Sequence, residues 1–244
     1  MPDPDRRPAF YASRAGRWGD WWTVLHPPYT AWHLSYVIIG AALAPHVDQI
    51  RLLATVLAFF AAVGVAAHAL DELHGHPLRT RIPDTALVAA TAIGLVVAVT
   101  LGIAGISRVG PMLIPFIVVG PFLVLAYNLE LFGGRLHTDI AFAVSWGAFP
   151  VLTAYVAQAG YVDVAALLAA AAAVGLSLAQ RSLSTPARTL RRRVDSVEGT
   201  VTMLDGGVRD LNQRTLLEPL EHALRALSWA TVALAFALVA ARVF

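Results

Sequence analysis

The sequence predicts an all-α integral membrane protein of about seven membrane-crossing helices, and two observations carry that prediction. Of its 244 residues, 57% are hydrophobic and only 14% are charged, whereas about a quarter of a soluble domain is charged. Mean hydropathy is +0.64. Seven windows approach the roughly 20 apolar residues that cross a bilayer core: 30–45, 51–70, 85–107, 109–129, 140–158, 164–183 and 223–243. The third and fourth contain no charged residue. Backbone groups in lipid must be satisfied within the segment, so the windows read as helices. No alternating barrel pattern appears.

Residues 1–29 form a cytoplasmic arm. It carries Arg6, Arg7, Arg14 and Arg17, with no apolar core before Trp21 and Trp22, so it is no signal peptide. It reads as a solvated arm ending in an aromatic interface anchor. Residues 30–183 make a core of six helices, 184–222 a cytoplasmic polar segment, and 223–244 a last membrane helix. All 18 basic residues are arginine, and only Arg51, Arg108 and Arg242 fall outside the segments assigned to the inner side. That bias sets the N-terminus in the cytoplasm and the C-terminus outside, in a multi-pass protein of the cell membrane. There are no cysteines, hence no disulfides or thiolate metal sites. Nucleic acid is no expected partner, since topology, anionic membrane lipids and a phosphorylated substrate account for the arginines.

Residues 72–82, ELHGHPLRTRI, and 130–140, ELFGGRLHTDI, agree at six of eleven positions at an offset of 58. Each follows an even-numbered helix, which suggests two copies of a helical hairpin, and sites of repeat-built membrane folds lie where repeats meet. Alternatively, both loops use similar turn chemistry, with Gly75 and Gly133 as caps. His68, Asp71 and Glu72 share one helical face, and a row of acids and imidazoles can hold a hard cation while arginines beside it hold phosphate. Candidate metal ligands are therefore His68, Asp71, Glu72 and Asp139. Arg79, Arg81, Asn128 and Arg135 are candidate substrate-binding residues, and Asp71 and Glu72 candidate catalytic ones. The alternatives are ordinary interfacial loops or a zinc cluster using His74 and His76, whose spacing fits no standard template. His33 either lines the same cavity or is bonded within the core.

In 184–222, Leu190, Val194, Val197, Val201, Leu204, Val208 and Leu211 recur at spacings of four and three. This predicts an amphipathic helix with a narrow seam, lying on the inner leaflet or packing on another helix or subunit, a homo-oligomer through 190–211 included.

Three stretches resemble the UbiA superfamily of intramembrane prenyltransferases. LHPPYTAWHLSYVIIGAALA resembles its first helix. HALDELHGHPLRTRIP stands where the family has its first aspartate-rich motif and an R-T-x-x-R-P-like tail. YNLELFGGRLHTDIAFAVSWGAFPVLTAYVAQAG resembles its fourth-to-fifth helix region, most like the menaquinone-pathway branch. The likeness covers roughly 25–180. It implies a UbiA-like helical bundle, an isoprenoid diphosphate substrate held through Mg2+, and transfer of the prenyl group. The acid ladder is depleted, however, and the second aspartate-rich motif is not visible in LAQRSLSTPARTLRRRVDSVEG. The family generally has nine helices. The alternative is therefore a non-catalytic protein that binds an isoprenoid lipid or serves as a partner subunit.

Overall fold

The computed structural model describes residues 8–13 and 16–243; Arg6, Arg7 and Arg14 lie outside them. Its helices are α1 Arg17–Val24, α2 Pro27–Leu43, α3 Gln49–Leu73, α4 Asp84–Val109, α5 Pro111–Asn128, α6 Asp139–Ala159, α7 Val164–Arg192 and α8 Gln213–Val243. The last six are long and apolar enough to cross a membrane, which makes this a multi-pass, predominantly helical membrane protein. The 17-residue α2 is shorter, and it is the helix the others enclose. It packs against α8 and α6, with Trp32 and Tyr36 fully buried.

Helix starts follow local chemistry. Asp48 accepts from the amides of Ile50 and Arg51 at α3, Thr138 from Ala141 at α6, and Asp163 from Ala166 at α7. Each satisfies donors that have no intrahelical partner. These hydrogen bonds hold the Asp48 carboxyl below the usual carboxylate range, the Arg51 amide contributing most. Two helices carry a π-helical stretch, α3 over Phe60–Ala67 and α6 over Val144–Ala148. Such bulges re-aim side chains and concentrate at functional sites.

The 184–222 segment departs from its predicted course. α7 runs on to Arg192 through Pro186. The chain then forms an antiparallel hairpin of β1 Glu198–Thr202 and β2 Val208–Asn212, and α8 starts ten residues before the apolar window. The Asp205-Gly206-Gly207 turn overrides the helical seam: Gly206 has φ +84°, and Asp205 Oδ1 accepts from the Gly207 amide at 2.9 Å. Asp-Gly pairs favour such tight hairpins. Val201, Leu204 and Val208 are consequently exposed rather than aligned on one helical face. Asn212 and Thr215 cap α8 reciprocally, each side-chain oxygen accepting the other's amide at 3.0 Å.

The arm is also less solvated than expected where it is described. Ala9 and Ala12 are buried, and Tyr11 bonds His26 at 2.8 Å. In α1, Trp18 and Trp22 are exposed, while Trp21 packs on the cluster of Val24, Ala69, Leu78, Ile82 and Leu87.

The two similar loops share a hydrogen-bond pattern. The His76 amide donates to Glu72 O at 2.9 Å and the Gly134 amide to Glu130 O at 2.9 Å; Arg79 donates to His76 O and His137 to Gly134 O, at 2.9 and 2.8 Å. At the 58-residue offset these are equivalent pairs. Gly75 and Gly133, again equivalent, both have positive φ. The rest of each turn differs: Glu130 and Phe132 have positive φ, whereas their equivalents Glu72 and His74 do not, and Glu72 is fully buried while Glu130 is exposed.

Candidate functional site: a basic cavity at the repeat loops

Both loops border one polar cavity of about 470 Å3, where the end of α3, the end of α5, the start of α6 and the end of α7 converge with the arm. His68, Asp71 and Asn128 line it as the repeat predicts. The other predicted residues stand elsewhere. Arg79, Arg81 and Arg135 are exposed and none lines the cavity. Asp139 lies outside it and pairs with Arg181 at 2.7 Å.

Glu72 turns away from the cavity. Its carboxylate accepts from the amides of Leu78 and Thr80 at 2.9 and 3.0 Å and from the Thr80 hydroxyl at 2.8 Å. It organises the loop, so its predicted catalytic and metal roles are not what its geometry serves. A helical wheel puts Glu72 one step from Asp71, but the chain folds back after His74 and surrounds it with loop donors.

The histidines are fixed by acceptors. Thr30 donates its hydroxyl to Leu25 O at 2.5 Å, so its lone pair and Gly64 O, at 3.4 and 3.3 Å, both call for a donor at His68 Nδ1. His68 Nε2 is then unprotonated. His33 likewise donates Nδ1–H to Trp146 O at 2.9 Å, which makes it a bonded residue on the cavity wall. His26, which the sequence did not single out, stacks on His68 at a centroid distance of 4.4 Å. Burial, and next the charge His68 would carry, push the His26 imidazole well below its ordinary range. It is neutral near pH 7. Burial likewise raises the Tyr11 hydroxyl well above its ordinary range.

The cations of the cavity come from α7 and the residue that follows it. Arg181, Arg188, Arg191, Arg192 and Arg193 line it, facing the carboxylates Asp71, Glu130 and Glu221. Arg181 also sits 5.0 Å over the Phe142 ring, and Arg191 is forked onto Glu221, one arm at 2.8 Å. The spacing 181, 188, 192 is one helical face. That signal was available in the sequence, but it points nowhere if the helix ends at 183.

The resemblance implies Mg2+, which takes near-octahedral oxygen ligands and is usually held through one or two carboxylates. Glu72 has spent its carboxylate on the loop and Asp139 on Arg181. Among the described residues, no three His, Asp or Glu side chains come together as a metal group. The four-ligand set expected from the sequence is therefore not assembled, Asp71 being the carboxylate of that set that lines the cavity. The zinc alternative meets the same geometry, since His76 is engaged with Asp84 at 3.0 Å.

A second cavity, of about 290 Å3 and almost wholly apolar, lies between α3, α4, α5 and α6. It shares Val63 and Trp146 with the polar cavity, one from each π-helical stretch. At its far end, Arg51 donates to the carbonyls of Gln158 and Arg108 at 3.1 and 2.7 Å, tying three helix ends together. Gly102, Gly105 and Gly120 keep its walls low.

Comparison with known proteins finds no matching family model, no similar curated protein and no similar solved structure.

Proposed function

We propose that the chain is a divergent UbiA-like protein of the cell membrane that binds an isoprenoid diphosphate, headgroup in the polar cavity and tail in the apolar one. The observation that carries this is that Val63 and Trp146 line both cavities, so that a basic chamber and a lipid-like one abut at this junction. A ligand matching both is an amphiphile with an anionic head. From Val63 back to Ile50, thirteen residues of helix at about 1.5 Å each give the tail a wall of roughly 20 Å. An unbranched soluble anion leaves that wall unused, and a neutral isoprenoid leaves the arginines unused.

Prenyl transfer is the second reading. It is favoured by Tyr127, Phe142 and Trp146, which cluster beside the junction, Tyr127 lying 5.9 Å from each of the other two between ring centroids. Ring faces there would stabilise an allylic cation and shelter it from water.

Binding to the protein in nanodiscs tests the reading. Farnesyl diphosphate is expected to bind at least tenfold more tightly than either farnesol or inorganic diphosphate. Narrowing the junction with Val63→Phe is expected to remove the advantage over inorganic diphosphate. Equal affinity for the three ligands in the wild type would sink the proposal. Incubation with farnesyl diphosphate radiolabelled in the prenyl chain and membrane extract separates binding from transfer, since only transfer moves the label onto an acceptor and releases diphosphate with it.

The arginine-rich end is assigned to the cytoplasm by the charge bias. Single cysteines at Gly134 and Gly160, on opposite ends of α6, are expected to label from opposite sides in intact cells, with Gly134 the inner one. Labelling of both from the same side, or of Gly134 from outside, would reverse the assignment.

A further inference from the structure

We infer that the headgroup site is a metal-independent anion site, in which Arg188 and Arg192 of α7, with His26, take phosphate oxygens directly. The lipid part of this rests on the reading above; the anion part does not. Three observations converge.

First, the cavity's arginines divide into spent and available ones. Arg181 is bound to Asp139 and Arg191 to Glu221. Among the described residues, neither Arg188 nor Arg192 has a carboxylate in ion-pair contact. Among these residues Arg188 reaches the Thr185 hydroxyl, at 3.5 Å, and Arg192 the Pro8 carbonyl, at 3.3 Å. Standing four residues apart, they share a helical face, with guanidinium forks that suit phosphate better than a point charge does.

Second, the wall holds two buried polar atoms without a partner, His26 Nε2 and Gln180 Oε1. Their residues are 9% and 4% exposed and both line the cavity. Leaving such atoms unmatched is costly. Neutral His26 carries one proton. If the Tyr11 hydroxyl donates to Nδ1, that proton sits on Nε2, a donor aimed where an anion would lie. The Gln180 amide turned end for end presents a donor as well.

Third, Asp71 has these same arginines as electrostatic neighbours. Its helical neighbour Glu72 is committed to the loop, and Arg188 and Arg192 are the cations that face Asp71 across the cavity. This gives Asp71 a role opposite in sign to that of a metal ligand. A ligand carboxylate is needed for binding, whereas a carboxylate beside the anion repels it and only positions the arginines. Asp71→Asn therefore discriminates.

The experiment measures calorimetric affinity of the full chain in neutral detergent for farnesyl diphosphate and inorganic diphosphate, each in EDTA and in magnesium. Farnesyl diphosphate is expected to bind in EDTA within about threefold of its affinity in magnesium. Arg188→Gln and Arg192→Gln are each expected to weaken it on the order of tenfold, the worth of one charge-assisted contact. Arg79→Gln, which alters an exposed arginine, is expected to leave affinity unchanged, and Asp71→Asn to retain or raise it. Should either cavity variant fail to fold, wild-type affinity in EDTA must still fall with added salt. Binding that requires magnesium, or that Asp71→Asn abolishes, overturns the inference. So does undiminished binding by the Arg188/Arg192 double variant. Equal affinity for both ligands in EDTA upholds the anion site while overturning the lipid reading, and no binding of either under any condition overturns both.

Discussion

Glu72→Ala is expected to cost about 2–5 kcal/mol of stability, because it strips the acceptor from two loop amides at once. The carboxylate is fully buried and gathers three donors from the loop, at Leu78 and twice at Thr80. Alanine leaves the two amides facing a void, and an unmatched buried donor costs roughly 1–3 kcal/mol. The loop then loses what holds Leu78 and Ile82 in the cluster with Val24 and Leu87, so the damage spreads to the α1 contact. Glu72→Gln retains one acceptor oxygen but turns an NH2 toward a donor, and is expected to lose about half as much. Detergent melting temperature and protease cleavage between His74 and Pro83 are the readouts. Had Glu72 been a metal ligand, Glu72→Gln would spare stability and abolish magnesium-dependent binding. That pattern would refute the structural role given to it here.

The helical membrane architecture was legible because it depends on summed apolarity, a property of long windows that survives local detail. The shared cavity of the two loops was legible for a related reason: the repeated residues give equivalent hydrogen bonds from His76 and Gly134, although the backbone between them differs at Glu130 and Phe132. Side-chain direction was not legible. Asp71 and Glu72 look interchangeable on a helical wheel, yet one faces the cavity and the other is wrapped by a loop whose return depends on Gly75 and His76 at positive φ. Arg79 and Arg81 looked placed to grip phosphate because they follow the acids in sequence, but that same return turns them outward. The arginines that do line the cavity were hidden by a boundary. Hydropathy falls at 183 while hydrogen bonding continues through Pro186 to Arg192, so the helical face shared by Arg181, Arg188 and Arg192 was split between a membrane window and a segment read as peripheral. His26 was missed because its role depends on the arm folding back, which no local pattern announces.

Gly40→Ala is expected to be among the most damaging changes of a single methyl group. A Cβ at Gly40 would stand 2.2 Å from the carbonyl oxygen of Val151 and 2.9 Å from its Cα, so α2 and α6 touch backbone to backbone. Small residues permit such approach between membrane helices. Relief requires one helix to move, because the obstacle is backbone rather than a side chain that can rotate. α2 has little room to do so, since its other face is packed on α8 and Trp32 and Tyr36 are fixed by the hydrogen bond between them at 2.5 Å. α6 is pinned on its far side by a second close crossing: a Cβ at Gly147 would lie 2.7 Å from Ala173 O of α7. Overpacking of this kind costs about 1–3 kcal/mol even where side chains can yield, and here more than about 3 is expected. Trp146, which lines both cavities, is the neighbour of Gly147 at the second crossing, so farnesyl diphosphate binding should weaken together with the melting temperature. Gly175→Ala is the matched control. It lies in α7 with nothing within 4 Å of its Cβ position, and the gain in helix propensity predicts a stabilisation of about 0.5–1 kcal/mol. If Gly40→Ala melts like the wild type while Gly175→Ala shifts upward, the α2–α6 contact is looser than the structure shows, and the wall that α2 gives the polar cavity through Tyr29 and His33 moves with it.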